Sequence, residues 1–289
     1  MGNFVITTDS TADLPASFLE EYGVKIVPLY YSMDDIIYGG EFQMSEKEFF
    51  DKMRSGSAAT TMAANPDAAE AVLRAHLEEG MDILHISFSS ALSSSYNSEV
   101  IAAKALIEEF PERKILVIDT LCASLGEGLV VCKAVKMQKD GKTMEEIAEW
   151  IENEKLHVCH LFTVDDLKYL ARGGRISKTA ALIGSLASVK PILHVDNEGK
   201  LVPLENVRGR KKAIAKLVDN MESAIKGYED QNDTVAISHG DCPDEADLLA
   251  SLVRERFGDR EFIINCISPT VGAHSGPGTL ALFFMGSPR

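Results

Sequence analysis

The sequence predicts an α/β fold made of two α/β domains, a parallel-sheet domain over residues 1–156 and a mixed-sheet domain over 157–289. Three observations carry this. Short β-branched runs alternate with helical periodicity through the first half, the alternation breaks near residue 157, and the second half adds a hairpin pattern to further βα units.

In the first half, FVIT at 4–7, ILHISF at 83–88 and KILVID at 114–119 read as strands. Helical patterns fall near 66–79, 93–110 and 122–139. Strands joined through helices imply a parallel sheet covered on both faces. Thr143 with Glu146 forms a capping-box pattern ahead of IAEWIENEK, so a helix ends near Lys155 and the domain boundary follows it.

In the second half, HVCHLFTV is followed by two short helical pieces and then by PILHVDNEGKLVPLE, where Asn197-Glu198-Gly199 reads as a hairpin loop. A helix over 208–227, a strand at TVAISH, a helix over 244–257, a strand at EFIINCI and a final apolar TLALFF complete the chain.

With 289 residues, 45% of them hydrophobic, the chain can bury a sizeable core. Its formal charge of −15 repels a phosphate backbone, so no nucleic-acid partner is expected. The five cysteines form no CxxC pair and no metal-like spacing with histidine, which predicts reduced thiols and no metal. The start lacks the basic stretch and apolar core of a signal peptide, and no run of about 18 apolar residues occurs. The expectation is a soluble cytoplasmic protein, monomeric by default, with no stable membrane insertion.

Common catalytic motifs are missing: there is no GxSxG, no GxxxxGK[ST], no HExxH and no strand followed by GxGxxG. Hydroxyl-rich turns at predicted strand ends stand out instead. They are Asp9-Ser10-Thr11, Thr60-Thr61, the serines between Ser87 and Ser98, and Asp119-Thr120 leading to Ser124 and Gly126. Ligands of open parallel sheets bind beyond the carboxyl ends of the strands. Ser, Thr and Asp are also the preferred helix N-caps, and for Asp9, Ser10 and Thr11 capping is the favoured reading.

Ser93 opens the helical run SSYNSEVIAAKALIEEF, where its hydroxyl and the free amides behind it face an anion, or simply cap the helix. His274, in SPTVGAHSGPG, sits among glycines that let backbone approach a ligand or a second chain, or serves a tight turn. Ser93 with His274 as base is the alternative reading, a lipid esterase. Basic residues gather in LARGGRISK (Arg172, Arg175, Lys178) and VRGRKKAIAK (Arg208, Arg210, Lys211, Lys212, Lys216). Such runs are solvated faces or docking points for an acidic or phosphate-bearing partner.

In order and spacing, DSTADLP, the Thr60-Thr61 pair before a loop and proline, FSSALSSSY, IDTLCASLGEG, LKYLARGGRIS and HSGPG resemble the DegV family from about residue 4 to 286. The resemblance implies two α/β domains with a fatty acid held between them, its carboxylate turned inward. It carries the head-group threonine of a T-S-Q-P-type loop onto Thr61 and the first serine of an L-S-G-T-Y-type turn onto Ser93. Two departures are visible: Met62-Ala63-Ala64 replaces Ser-Gln-Pro, and Ser94-Ser95 replaces Gly-Thr.

The resemblance further implies a carrier without a cofactor, which presents its long-chain fatty acid to a separate ATP-dependent fatty acid kinase for phospholipid synthesis. Neither Thr61 nor Ser93 has a Lys or Arg neighbour in sequence, so the expected head-group pocket is made of neutral hydroxyls and amides.

Overall fold

The computed structural model describes residues 3–177 and 188–289. Strand β1 (Phe4–Asp9) leads through a 3-10 turn to helix α1 (Ala16–Tyr22), then to β2 (Lys25–Val27), β3 (Tyr30–Met33), β4 (Ile36–Tyr38), α2 (Glu46–Arg54) and β5 (Ala59–Met62). Helix α3 (Pro66–Glu78), β6 (Asp82–Ser87), α4 (Ser95–Glu109), β7 (Ile115–Asp119), α5 (Leu125–Lys139) and α6 (Met144–Glu154) follow. Next come β8 (Val158–Thr163), α7 (Lys168–Arg172), β9 (Val189–Val195), β10 (Leu201–Arg208), α8 (Arg210–Ala224), β11 (Thr234–His239), α9 (Pro243–Phe257), β12 (Glu261–Cys266), α10 (Pro269–Ser275) and β13 (Leu280–Met285).

A parallel sheet runs in the order β2-β1-β6-β7. All six residues of β1 are buried, as expected for a central parallel strand covered on both faces. A mixed sheet runs β10-β9-β8-β13-β11-β12, in which only β11 and β12 pair parallel. The fold class read from sequence is therefore correct.

Local signals account for several boundaries. Asn65 accepts from the Asp67 amide with Pro66 in the first turn of α3, and the Thr143–Glu146 capping box opens α6 with both of its bonds formed. The β9–β10 hairpin turns through Asp196, whose carboxylate accepts from the Glu198 and Lys200 amides, with Gly199 at φ 77°. Of the two short helical pieces expected after β8, α7 is one; residues 178–187, and Lys178 with them, lie outside the described residues.

Four differences from the sequence reading bear on the site. A third, antiparallel sheet, β4-β3-β5, occupies part of the first half, and Thr60 and Thr61 lie within β5 rather than in a turn. The α4 helix starts at Ser95 with Ser94 at its cap position, so Ser93 precedes the helix. His274 stands in α10, not in a tight turn. Arg208 ends β10 instead of opening a helix.

Helix α5 joins the two halves. Its residues from Leu125 to Val131 are all buried, and it shares one core with Ile6, Leu84 and Ile86 of the parallel sheet and with Phe162, Leu193 and Phe283 of the mixed sheet. A helix buried all round needs little amphipathic pattern. Gly126 and Gly128 allow the close approach: a Cβ on Gly126 would fall 2.1 Å from His160 Nε2, and one on Gly128 2.6 Å from the Ala12 carbonyl oxygen.

Candidate functional site

The segments leaving β1, β6 and β7 bring Thr11, Phe88 and Ala123 to the wall of one cavity of about 540 Å³. Its volume falls within the roughly 300–1,000 Å³ common for small-molecule sites. The position follows the rule for open parallel sheets. Phe162, Leu170, Ile267 and Phe283 give it a largely apolar wall from the second half.

One region of the cavity is polar. Strand β5 presents Thr61, whose Oγ1 lies 2.7 Å from Nε2 of His274 on α10. The turn after β6 presents Ser93, whose Oγ lies 2.8 Å from Ser95 Oγ and accepts the Ser95 amide at 3.2 Å. Ser95 Oγ in turn accepts the Ala64 amide at 3.0 Å, which ties the serine turn to the loop after Thr61. Ser95 stands where the DegV pattern has threonine, so the hydroxyl that makes this tie is kept.

His274 is held neutral. Burial, then the charges of Arg175 and Arg172, push its pKa down to about 4. Nδ1 is buried without a hydrogen-bond partner among the described residues, so the less costly tautomer leaves it unprotonated and lets Nε2–H donate to Thr61. The Thr61 hydrogen is then free to donate into the cavity. A Cβ on Gly173 would fall 2.1 Å from His274 Nδ1, so glycine there leaves room for the ring.

The neutral hydroxyls share the wall with two of the basic residues read from sequence as possible ligand or partner contacts. Arg172 and Arg175 both line the cavity, supplied by the segment that follows β8, far from Thr61 and Ser93 in sequence. Arg175 donates twice to the Leu92 carbonyl, at 3.0 and 2.7 Å, fixing the residue before Ser93. Arg172 reaches the Ala273 carbonyl, beside His274, at 3.5 Å. Neither has an ion-pair partner among the described residues.

Behind the hydroxyl region lies a buried acidic network. Asp9 accepts from the Thr11 and Phe88 amides, so its capping role is as read from sequence. Burial and the nearby Glu99 push its carboxyl up to about 6. Glu127 is raised well above the carboxylate range by burial and Asp9, while accepting from Thr8 and Thr11. His85 bridges Thr7 and Glu99; burial opposes its charge, but Glu99 raises its pKa.

The structure thus gathers Thr61, Ser93, His274, Arg172 and Arg175 on one cavity. Arg208 stands exposed at the end of β10 and is not part of that wall. Ser93 does not bond His274: among the described residues the hydrogen bonds of its hydroxyl go to Ser95. Ser238 and, apart from Asp9, the acidic network were missed by sequence reading, whereas Asp9, Ser95 and Ser124 carried a signal through their strand-end turns. No group of three or more potential metal ligands occurs among the described residues, and none of their helices is long and apolar enough to cross a membrane.

The sequence model of the DegV family, described as uncharacterised protein, matches residues 3–287. A DegV domain-containing protein of Clostridium perfringens is 40% identical over 291 aligned positions, covering 100% of this chain and 99% of its own. Among solved structures, a DegV family protein of Thermus thermophilus, described by its fatty acid binding, is 29% identical with a TM-score of 0.86, covering 98% of this chain and 99% of its own. DegV of Bacillus subtilis, described as a fatty acid binding protein, is 28% identical with a TM-score of 0.84, covering 99% and 100%.

Proposed function

The chain belongs to the DegV family, and on that premise we propose that it binds a long-chain fatty acid, with the carboxylate on Thr61 and Ser93, and presents it to a separate ATP-dependent kinase. The observation that carries this reading is a cavity with largely apolar walls that holds the hydroxyls of Thr61 and Ser93. The alkyl chain supplies the affinity: burying it at about 0.8 kcal/mol per CH₂ gives on the order of 10 kcal/mol before ordering costs.

A buried carboxylate is costly unless hydrogen-bonded. Thr61 and Ser93 each have a hydrogen to give once His274 and Ser95 donate to them. Arg172 and Arg175 add a favourable field without being needed as direct ligands. The oxygens therefore keep the electron density to attack phosphorus: a carboxylate oxygen forms a bond to the γ-phosphorus as its bond to ADP breaks, giving an acyl phosphate. The protein's part is to hold and orient the acid, as a monomeric carrier without a cofactor.

The esterase alternative needs His274 as base to Ser93. The ring bonds Thr61 instead, is held neutral down to about pH 4, and has no carboxylate among the described residues to orient Nδ1. Reconstitution tests the choice. Acyl phosphate forms when fatty acid, ATP, a fatty acid kinase and this protein are combined, and not when this protein is left out. An acyl-enzyme burst with an activated ester, lost on Ser93→Ala, would overturn the carrier reading.

A further inference from the structure

Strands β8 and β13 give the cavity a direction. They pair antiparallel, with Leu280 opposite Thr163, Ala281 opposite Phe162 and Phe283 opposite His160. The first of these pairs lies toward the head group, because β13 follows α10 with its His274, and β8 leads into α7 with its Arg172. Opposite residues share a face of a sheet and alternate residues return to it, so Phe162 with Ala281 and then His160 with Phe283 line the cavity in succession. The next pair on that face, Val158 with Met285, is not part of the wall. On this side the cavity therefore stops at His160 and Phe283, about 10 Å along the strand from Leu280 at roughly 3.4 Å per residue.

His160 shows the cavity no free polar atom. The Ala123 amide can only donate, and it does so to Nε2 at 3.1 Å, so the proton sits on Nδ1 and goes to the Val158 carbonyl at 2.9 Å. Burial, then the charge of Arg289, holds the ring neutral. Both nitrogens are used, and what remains for a ligand is carbon. The ring is also clamped. Phe283 meets it edge-on with centroids 5.2 Å apart, and Gly126 approaches so closely that a Cβ there would fall 2.1 Å from Nε2.

We propose that His160 is the stop for the methyl end of the acyl chain and sets the longest acid that the protein accepts. The proposal rests on the fatty-acid reading above and adds a chain-length limit to it. A chain shorter than the tunnel gains about fourfold in affinity with each methylene that it buries. A chain that already reaches the ring has no room for the next carbon, and forcing it in costs on the order of tenfold.

The test is the length profile, measured as displacement of a fluorescent fatty acid from the delipidated protein by saturated even-numbered acids delivered from cyclodextrin. Wild-type affinity rises with length to an optimum and then falls about tenfold over the next two to four carbons. His160→Ala frees the room of roughly three methylenes, so its optimum lies about two to four carbons longer, while acids below the wild-type optimum bind within about threefold of wild type. His160→Val, β-branched and suited to a strand, moves the optimum the same way by a smaller step and carries the test if the alanine variant does not fold. His160→Phe keeps the bulk without the hydrogen bonds and does not lengthen the optimum. A wild-type profile without an optimum, an optimum unmoved by truncation, or one lengthened equally by phenylalanine overturns the proposal. A wild type that binds none of the acids overturns the fatty-acid reading itself.

Discussion

Thr61 Oγ1 and His274 Nε2 lie 2.7 Å apart although 213 residues separate them in the chain. One side of this contact comes from the small antiparallel sheet and the other from α10, so the polar part of the cavity exists only when both halves are in place. The imidazole is a neutral donor here, and its service to Thr61 is positional.

Gly173→Ala tests that service. The added methyl would meet His274 Nδ1 at 2.1 Å and push the ring off Thr61. Fatty-acid affinity falls by about tenfold, the size of one lost hydrogen bond to a charged group. Unchanged affinity, measured by displacement of a fluorescent fatty acid, would show that His274 does not position Thr61.

Thr61→Ala and Ser93→Ala each weaken fatty-acid binding about ten- to a hundredfold, since each removes a hydrogen bond to a buried carboxylate. Ser93 Oγ accepts the amide of Ser95, the first residue of α4, a bond worth about 1 kcal/mol, and Thr61 makes no such bond, so the melting temperature of the lipid-free protein falls by no more than a few degrees. A collapse of stability with lipid binding retained would return both residues to a structural role.

The Asp13 carboxyl is pushed up to about 7, chiefly by burial, against the hydrogen bonds from Ser124 and Ser268 that favour its charge. Between its ordinary value of 3.8 and about 7 the folded protein holds a proton that the unfolded chain releases. Stability from this group is complete below about pH 4 and is lost as pH rises towards 7, by up to about 4 kcal/mol. His274, held neutral, titrates in the opposite sense over part of this window, so the readout is the difference between wild type and Asp13→Asn in urea unfolding. The wild type loses stability relative to Asp13→Asn as pH rises from 4 to 7; a constant difference would contradict the assignment.

Arg208→Glu and Lys212→Glu change an exposed basic face outside the cavity wall. Fatty-acid affinity stays within about twofold. If this face docks the kinase, acyl phosphate formation slows at low salt and the defect fades as salt screens the patch. Undiminished transfer by the double variant would remove this face as the docking site.

The sequence was legible where local rules decide. The Thr143–Glu146 box, Pro66 after Asn65 and the Asp196–Gly199 loop each state their geometry in a few residues. The β3–β4 hairpin was hidden because its strands are only four and three residues long and its turn is Asp34-Asp35, both at positive φ, in place of the usual Asn-Gly or Asp-Gly signal. Thr61 and Ser93 were reached through their motifs. Arg175 against Leu92 and Ser238 against Ser124 depend on contacts between distant elements, which neither periodicity nor spacing encodes.

Mass spectrometry of the denatured, purified protein tests the central claim most directly. The account predicts a long-chain fatty acid released in near-stoichiometric amount, and its depletion in the Thr61→Ala, Ser93→Ala double variant. A wild-type protein that stays empty after incubation with fatty acid would contradict it.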